Sequence, residues 1–259
     1  MKAFKSELKK FTSLRSSYVY GILLLGTIAG VTGLYLLVSL LMRENTADTV
    51  TVNWADFANG GSIFILIAIT MLGATVAGEV STKMQAQAFL TQHHRSSWFT
   101  ARLALSYLFL ALCLLVSIAI SILLVALFPH ASFVNEESHF MLQIALTVCI
   151  YSLMAACIGV ITGSKVAAIA IPLALLMVIE TLISLVVAFN AEVFGFLSLL
   201  SPLNRINDIT NHAVGNTREI GFHVLENSQP LWFDAAVLGG WAVLLLVAAY
   251  LVNNKRDAK

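Results

Sequence analysis

Residues 99–128 read FTARLALSYLFLALCLLVSIAISILLVALF, a run of 30 residues with one charge, Arg102. An α-helix needs about 20 apolar residues to cross the hydrocarbon core of a bilayer, so this run alone commits the chain to a membrane. Working outward, five more runs meet or nearly meet the same test: Tyr18–Met42, Gly60–Gly78, Phe140–Ile161, Val166–Phe189 and Phe233–Val252. The composition agrees, with 59% hydrophobic and 11% charged residues and a mean hydropathy of +0.87. That is more apolar surface than a soluble domain of this size can bury, so lipid must solvate part of it. The expected fold is an all-α polytopic membrane protein with six transmembrane helices, forming a single transmembrane domain over residues 1–259.

The placement of charge predicts the orientation. Lys2, Lys5, Lys9, Lys10, Arg15, Lys83, Arg95, Arg102, Lys165, Lys255, Arg256 and Lys259 fall on one side of the spans, and only Arg43, Arg205 and Arg218 on the other. Lys and Arg are retained in the cytosol, so both termini are expected there. Most acids, among them Glu136, Glu137, Asp208 and Asp234, fall outside. A net charge of +1 argues for neither nucleic acid nor an acidic substrate. Cys113, Cys149 and Cys157 lie inside apolar runs, where a thiol behaves as a small hydrophobe. The basic N-terminus lacks a small-residue cleavage site after its first apolar run, so no removable signal peptide is expected.

Three segments lie outside the spans. In residues 1–17, Phe4, Leu8, Phe11 and Leu14 recur at helical spacing, with Lys2, Lys5, Lys9 and Lys10 largely elsewhere on the wheel, which predicts an amphipathic helix on the inner leaflet. The outer loop 190–232 contains Phe194–Leu203, about ten apolar residues and too few to span. It reads as a re-entrant or interfacial helix before the last span, or as a short helix packed on the outer ends of the bundle. Pro202 is expected to stop it. Residues 79–98, EVSTKMQAQAFLTQHHRSSW, form the only sizeable cytosolic loop. Strong helix formers from Lys83 to Leu90 predict a short helix there, with Met84, Ala88 and Phe89 as a small apolar face for a partner.

Little in the sequence points to chemistry within the chain. The six histidines lie in loops or at span ends, where no pair can ligate a haem between helices. Neither HExxH nor Gly-x-Ser-x-Gly occurs. Gly159-Val-Ile-Thr-Gly-Ser-Lys165 differs from a Walker A loop in spacing, in the residue after Lys and in context, so ATP is not expected to bind there. Glu180 is the one acid placed within the hydrocarbon region, where an ionised carboxylate costs roughly 2.5–3.5 kcal/mol. It is expected to face the bundle interior, line a water-filled pathway or carry a proton, with a structural polar contact as the alternative. Gly26-x-x-x-Gly30 has the spacing that lets helix backbones touch, within one chain or between two. Pro172 is expected to kink the fifth span.

The order of these elements resembles the permease subunit of type 2 ABC exporters, the ABC-2 family. Those proteins have an inner-leaflet helix, six spans, a coupling loop between spans two and three, and a re-entrant outer segment before the last. Glu79, Ser81-Thr82, Arg95 and Arg102 stand where the family has a Glu, a Thr-centred stretch, a Pro-x-Ser-Arg-like turn and a basic residue. Thr91-Gln-His-His94 departs from that pattern, because a proline is usual there. The resemblance implies a bacterial cytoplasmic-membrane exporter of an amphipathic peptide, drug or lipid-like substrate, with antimicrobial-peptide or drug resistance as its setting. In that reading the chain is not itself an enzyme. ATP and Mg belong to a separate cytosolic ABC ATPase, and a second permease chain, a homodimer partner or sister, completes the pathway in membrane lipid. Glu79 and Arg102 then anchor the coupling helix, with Lys83, Met84, Ala88, Phe89 and Arg95 on it. Two other classes compete: an ion- or proton-coupled secondary transporter using Glu180, and a non-transporting immunity or scaffold protein.

Overall fold

A computed structural model describes residues 2–13, 15–41, 50–83, 96–214, 218–220, 223–225 and 229–255. In chain order these form α1 (Lys2–Ser13), α2 (Arg15–Leu41), β1 (Val50–Val52), α3 (Trp54–Ser81), α4 (Ser96–Leu127), β2 (Ala131–Phe133), α5 (His139–Thr162) and α6 (Lys165–Ala174). A π-helical turn (Leu175–Ile179) then leads into α7 (Glu180–Phe189), α8 (Ala191–Leu200), α9 (Pro202–Val214), β3 (Arg218–Ile220), β4 (His223–Leu225) and α10 (Leu231–Lys255). Six helices are long and apolar enough to cross a membrane: α2, α3, α4, α5, the run Lys165–Phe189 and α10. The protein is thus a multi-pass helical membrane protein. Large side chains such as Ile22 and Leu127 are about 70% exposed, as lipid-facing positions should be. The described residues fall into two compact units, 1–68 with 97–144 and 69–96 with 145–259.

In the first unit, α1 uses its apolar side differently from the sequence expectation. Phe11 is buried edge-on against Phe109 of α4, 4.9 Å between ring centres. Leu8, three residues earlier, remains exposed. Contacts with α4 therefore take part of the face assigned to the leaflet. The span helix also starts earlier than expected, at Arg15, and the Tyr18 hydroxyl donates to the Thr12 carbonyl across the junction.

The start of α3 moves in the same direction, from the expected Gly60 to Trp54. Asn53 and Asp56 explain this: each backbone N–H donates to the other's side-chain oxygen, at 2.8 Å from Asn53 and 3.1 Å from Asp56, satisfying amides that a helix start leaves open. Just ahead, β1 pairs in parallel with β2, Val50 opposite Ala131, a pairing the sequence reading did not include. Each strand precedes a span. Trp54, Phe57 and Phe133 pack beneath the pair, with the Phe57 and Phe133 rings stacked 5.7 Å apart. Ile28, Leu36, Val52, Phe57 and Val125 form the buried core of this unit.

The second unit is built on close backbone approach and on a doubled-back segment that follows the fifth span. Pro172 supplies no N–H to the Ala168 carbonyl four residues before it. A Cβ placed on Gly73 would stand 3.0 Å from that oxygen, so glycine lets α3 come up against the segment that proline has altered. The hydrogen-bond ladder then widens through the π turn, where the Glu180 N–H donates to the Leu175 carbonyl. Beyond α7, the Asn190 side chain accepts from the Val193 N–H and starts α8. Pro202 opens α9 rather than only ending what precedes it, since the first turn of a helix needs no N–H from that residue. β3 and β4 form an antiparallel pair with Glu219 opposite Val224.

Candidate functional site

Glu180 begins α7 directly after the π turn and is 2% exposed. Its carboxylate accepts from three donors on two other parts of the chain. The Tyr151 hydroxyl of α5 donates to Oε1 at 2.9 Å, the Leu203 N–H donates to Oε1 at 3.3 Å, and the Ser201 hydroxyl donates to Oε2. The Ser201 Oγ in turn accepts from the Asn204 N–H at 3.2 Å, the arrangement of an N-cap. The carboxylate therefore sits at the N-terminus of α9, where helix amides favour negative charge. For Ser201 to reach Glu180, α8 must run back along α7, so α7 and α8 make a helical hairpin closed by this carboxylate.

One turn into α9 lies a second polar cluster. Arg205, 2% exposed, donates from Nη1 to Asp234 Oδ1 at 2.6 Å and pairs through Nη2 with Asp208 Oδ2 at 2.8 Å. Nη2 also donates to the Ser198 carbonyl of α8 at 3.2 Å. The guanidinium carbon lies 6.0 Å from the centre of the Phe233 ring. Asp234, in the first turn of α10, is fully buried, and its Oδ2 is 3.7 Å from His212 Nε2. The ring nitrogen of His212 is 2.9 Å from the Gln229 carbonyl. A single fixed cation thus ties α8, α9 and α10 together. An arginine suits this role, because its planar fork can serve two carboxylates and a carbonyl at once.

A third buried pair belongs to the first unit. Arg102, 1% exposed in the second turn of α4, lies 3.9 Å from Glu7 Oε2 of α1 and 5.4 Å from the Phe11 ring centre. Arg102 was expected to anchor a coupling helix, and the structure sets it against the N-terminal helix. Glu79 is buried in the last turn of α3. Lys83 adopts φ 56°, a left-handed conformation, and its N–H donates to the Val80 carbonyl at 3.2 Å. It closes α3 rather than opening the helix expected from Lys83 to Leu90. Met84, Ala88, Phe89 and Arg95 lie outside the described residues.

Gly26 and Gly30 meet no described atom within 4 Å of an added Cβ, so among the described residues neither packs closely against another helix. That work falls to Gly73 and to Gly60, where an added Cβ would lie 2.6 Å from Ile28 Cα. Among the described residues no three His, Cys, Asp or Glu side chains converge as a metal site. Sequence reasoning singled out Glu180 and missed its donors, Tyr151 and Ser201. It also missed the Arg205 cluster, for which the one local signal was Arg205-x-x-Asp208, at the spacing of helix neighbours. Compared with protein-family models and with curated proteins, the chain matches none.

Proposed function

We propose that this protein is the membrane-spanning permease subunit of an ATP-binding-cassette exporter of the ABC-2 type. The observation that carries the reading is the pair α8–α9, which lies between the fifth and last spans, with α8 folded back along α7 and held there by Glu180. It supports the reading because ABC-2 permeases, which the chain resembles, carry a re-entrant outer segment in that place. The amphipathic α1 ahead of six span-length helices adds to it. In this reading both termini are cytosolic, α8 and α9 re-enter the outer leaflet, and a separate ATPase acts through residues 79–98. A second permease chain completes the pathway for an amphipathic peptide, drug or lipid-like substrate in a bacterial cytoplasmic membrane. Both oxygens of Glu180 are already engaged by donors within the chain, which places the secondary-transporter reading behind this one.

The test is purification of the full chain from its native membrane in mild detergent. An ATPase subunit should accompany the wild type, and Phe89→Asp should reduce its recovery at least tenfold while the permease elutes unchanged. Absence of any ATPase from the wild type, or full recovery with Phe89→Asp, would count against the proposal.

A further inference from the structure

Two contacts fix how far the α8–α9 turn reaches along its neighbours. The Leu200 carbonyl accepts from the Trp241 indole N–H at 3.0 Å, and Trp241 lies ten residues past the start of α10, about 15 Å at the rise of an α-helix. The Ser201 hydroxyl reaches Glu180, nine residues before the end of α7 and about 14 Å along it. The two rulers agree, and each is about half the thickness of a hydrocarbon core. From the turn α9 climbs back along α10: Arg205 meets Asp234 in the first turn of α10, and His212 meets the Gln229 carbonyl just ahead of it. Positions equally far from Leu200 on the two arms therefore stand at similar levels, Val193 with Asn207 and Phe196 with Asn204.

The arms differ in what they show. On α8, Val193, Phe196 and Leu200 are 57%, 58% and 62% exposed, and all three are apolar, as acyl chains require. On α9, Asn204, Asn207 and Asn211 fall within about 60° of one another. Asn204 is buried, while Asn207 and Asn211 are half-buried. The charged neighbours of this stripe, Arg205 and Asp208, are paired with each other, and Arg205 also with Asp234. A partly exposed amide at this level cannot face acyl chains without losing its hydrogen bonds to water.

We propose that the Asn207 and Asn211 side of α9 lines a water-filled passage through the outer half of the membrane, and that it takes the uncharged hydrogen-bonding part of the transported molecule, an amide or hydroxyl group. This deepens the permease reading and rests on it for the sidedness of the membrane and for the molecule that passes. Carboxamides suit such a group, because each offers donors and an acceptor without charge. The α8 arm is then the lipid-facing wall of the inserted pair and the α9 arm its wet wall.

The experiment replaces Cys113, Cys149 and Cys157 with Ala in the full chain, places one thiol at a time and exposes intact cells to an uncharged, membrane-impermeant maleimide. Asn207→Cys should react at least tenfold faster than Val193→Cys at the matched level, and Asn211→Cys should react as Asn207→Cys does. Equal rates at positions 193 and 207 overturn the proposal, since both arms then meet the same medium. Failure of both asparagine positions to react overturns it as well. In lipid nanodiscs, decyl maltoside below its micelle concentration should slow the Asn207→Cys reaction at least threefold, and decyl sulfate at the same concentration should not; equal slowing by the two, or none, overturns the assigned class. Labelling requires no ATPase. An unreactive α9 in a chain that brings an ATPase with it defeats this proposal alone, and a reactive α9 in a chain that brings none defeats the permease reading alone.

Discussion

Arg102 and Arg205 are both almost fully buried, at 1% and 2% exposure, and both stand near aromatic rings, yet their carboxylates differ in distance and in origin. Glu7 approaches Arg102 only to 3.9 Å and comes from a terminal helix. Asp208 and Asp234 hold Arg205 at 2.8 Å and 2.6 Å and come from α9 and from α10, the last span. Distance and placement together separate two kinds of joint. A helix that does not span the membrane, as α1 does not, can swing out and let water reach both charges, so the strength of its joint is limited to the cost of that local opening. The Arg205 joint has no such exit, because breaking it means separating α8, α9 and α10.

The largest effect should come from Arg205→Ala. It leaves Asp208 and Asp234 buried beside each other without their cation, and loss of one partner from a buried ion pair costs about 3–5 kcal/mol. Asp234→Asn should cost less, since Arg205 keeps Asp208. Thermal unfolding in detergent checks the order, and equal losses for the two variants would mean that Asp208 contributes little to holding Arg205. A smaller effect is expected at Glu180, where Tyr151→Phe removes one hydrogen bond to a carboxylate, about 1.5–3 kcal/mol. Spin labels at the exposed Leu182 and Phe196 should report a broader α7–α8 distance in that variant, and an unchanged distance would mean that Ser201 and Leu203 suffice to close the hairpin. The smallest effect on global unfolding should follow Glu7→Gln. That variant should leave the melting temperature within about 2 °C of wild type, by the size scaling that equates such a shift with about 1 kcal/mol or less. It should nevertheless increase the mobility of a label at Ser13. A large drop in melting temperature would show that α1 is welded as firmly as α9.

The spans were readable because bilayer thickness demands a length of apolar sequence that nothing else in a small protein requires. Their ends were less readable. Trp54 starts α3 six residues ahead of the expected Gly60, because a capping pair, Asn53 and Asp56, and an aromatic cluster extend the helix beyond its apolar run. Glu180 could be flagged since a lone acid in a hydrocarbon segment is costly wherever it points. Its donors could not be found this way, as Ser201 lies 21 residues away and no local periodicity links them. Arg205 and Asp234 were both counted among residues outside the spans, and nothing in their spacing of 29 residues marks a pair. The glycines show the same limit. Gly26-x-x-x-Gly30 displays a close-approach spacing, but only the arrangement of other helices decides that Gly60 and Gly73 are the ones used.

The π turn at Leu175–Ile179 carries a consequence for how this span tolerates change in length. One π turn is equivalent to a single residue inserted in an α-helix, and each residue turns the helix by about 100°. Everything after Ile179 is therefore rotated by that amount relative to an uninterrupted helix begun at Lys165. Removing one residue between Leu175 and Ile179 would restore a regular ladder without shortening the apolar run below span length. It would also turn Glu180 away from Tyr151 and from the start of α9. The fifth span thus has a fixed phase as well as a minimum length, and an extra residue in mid-membrane sets which way its only carboxylate looks.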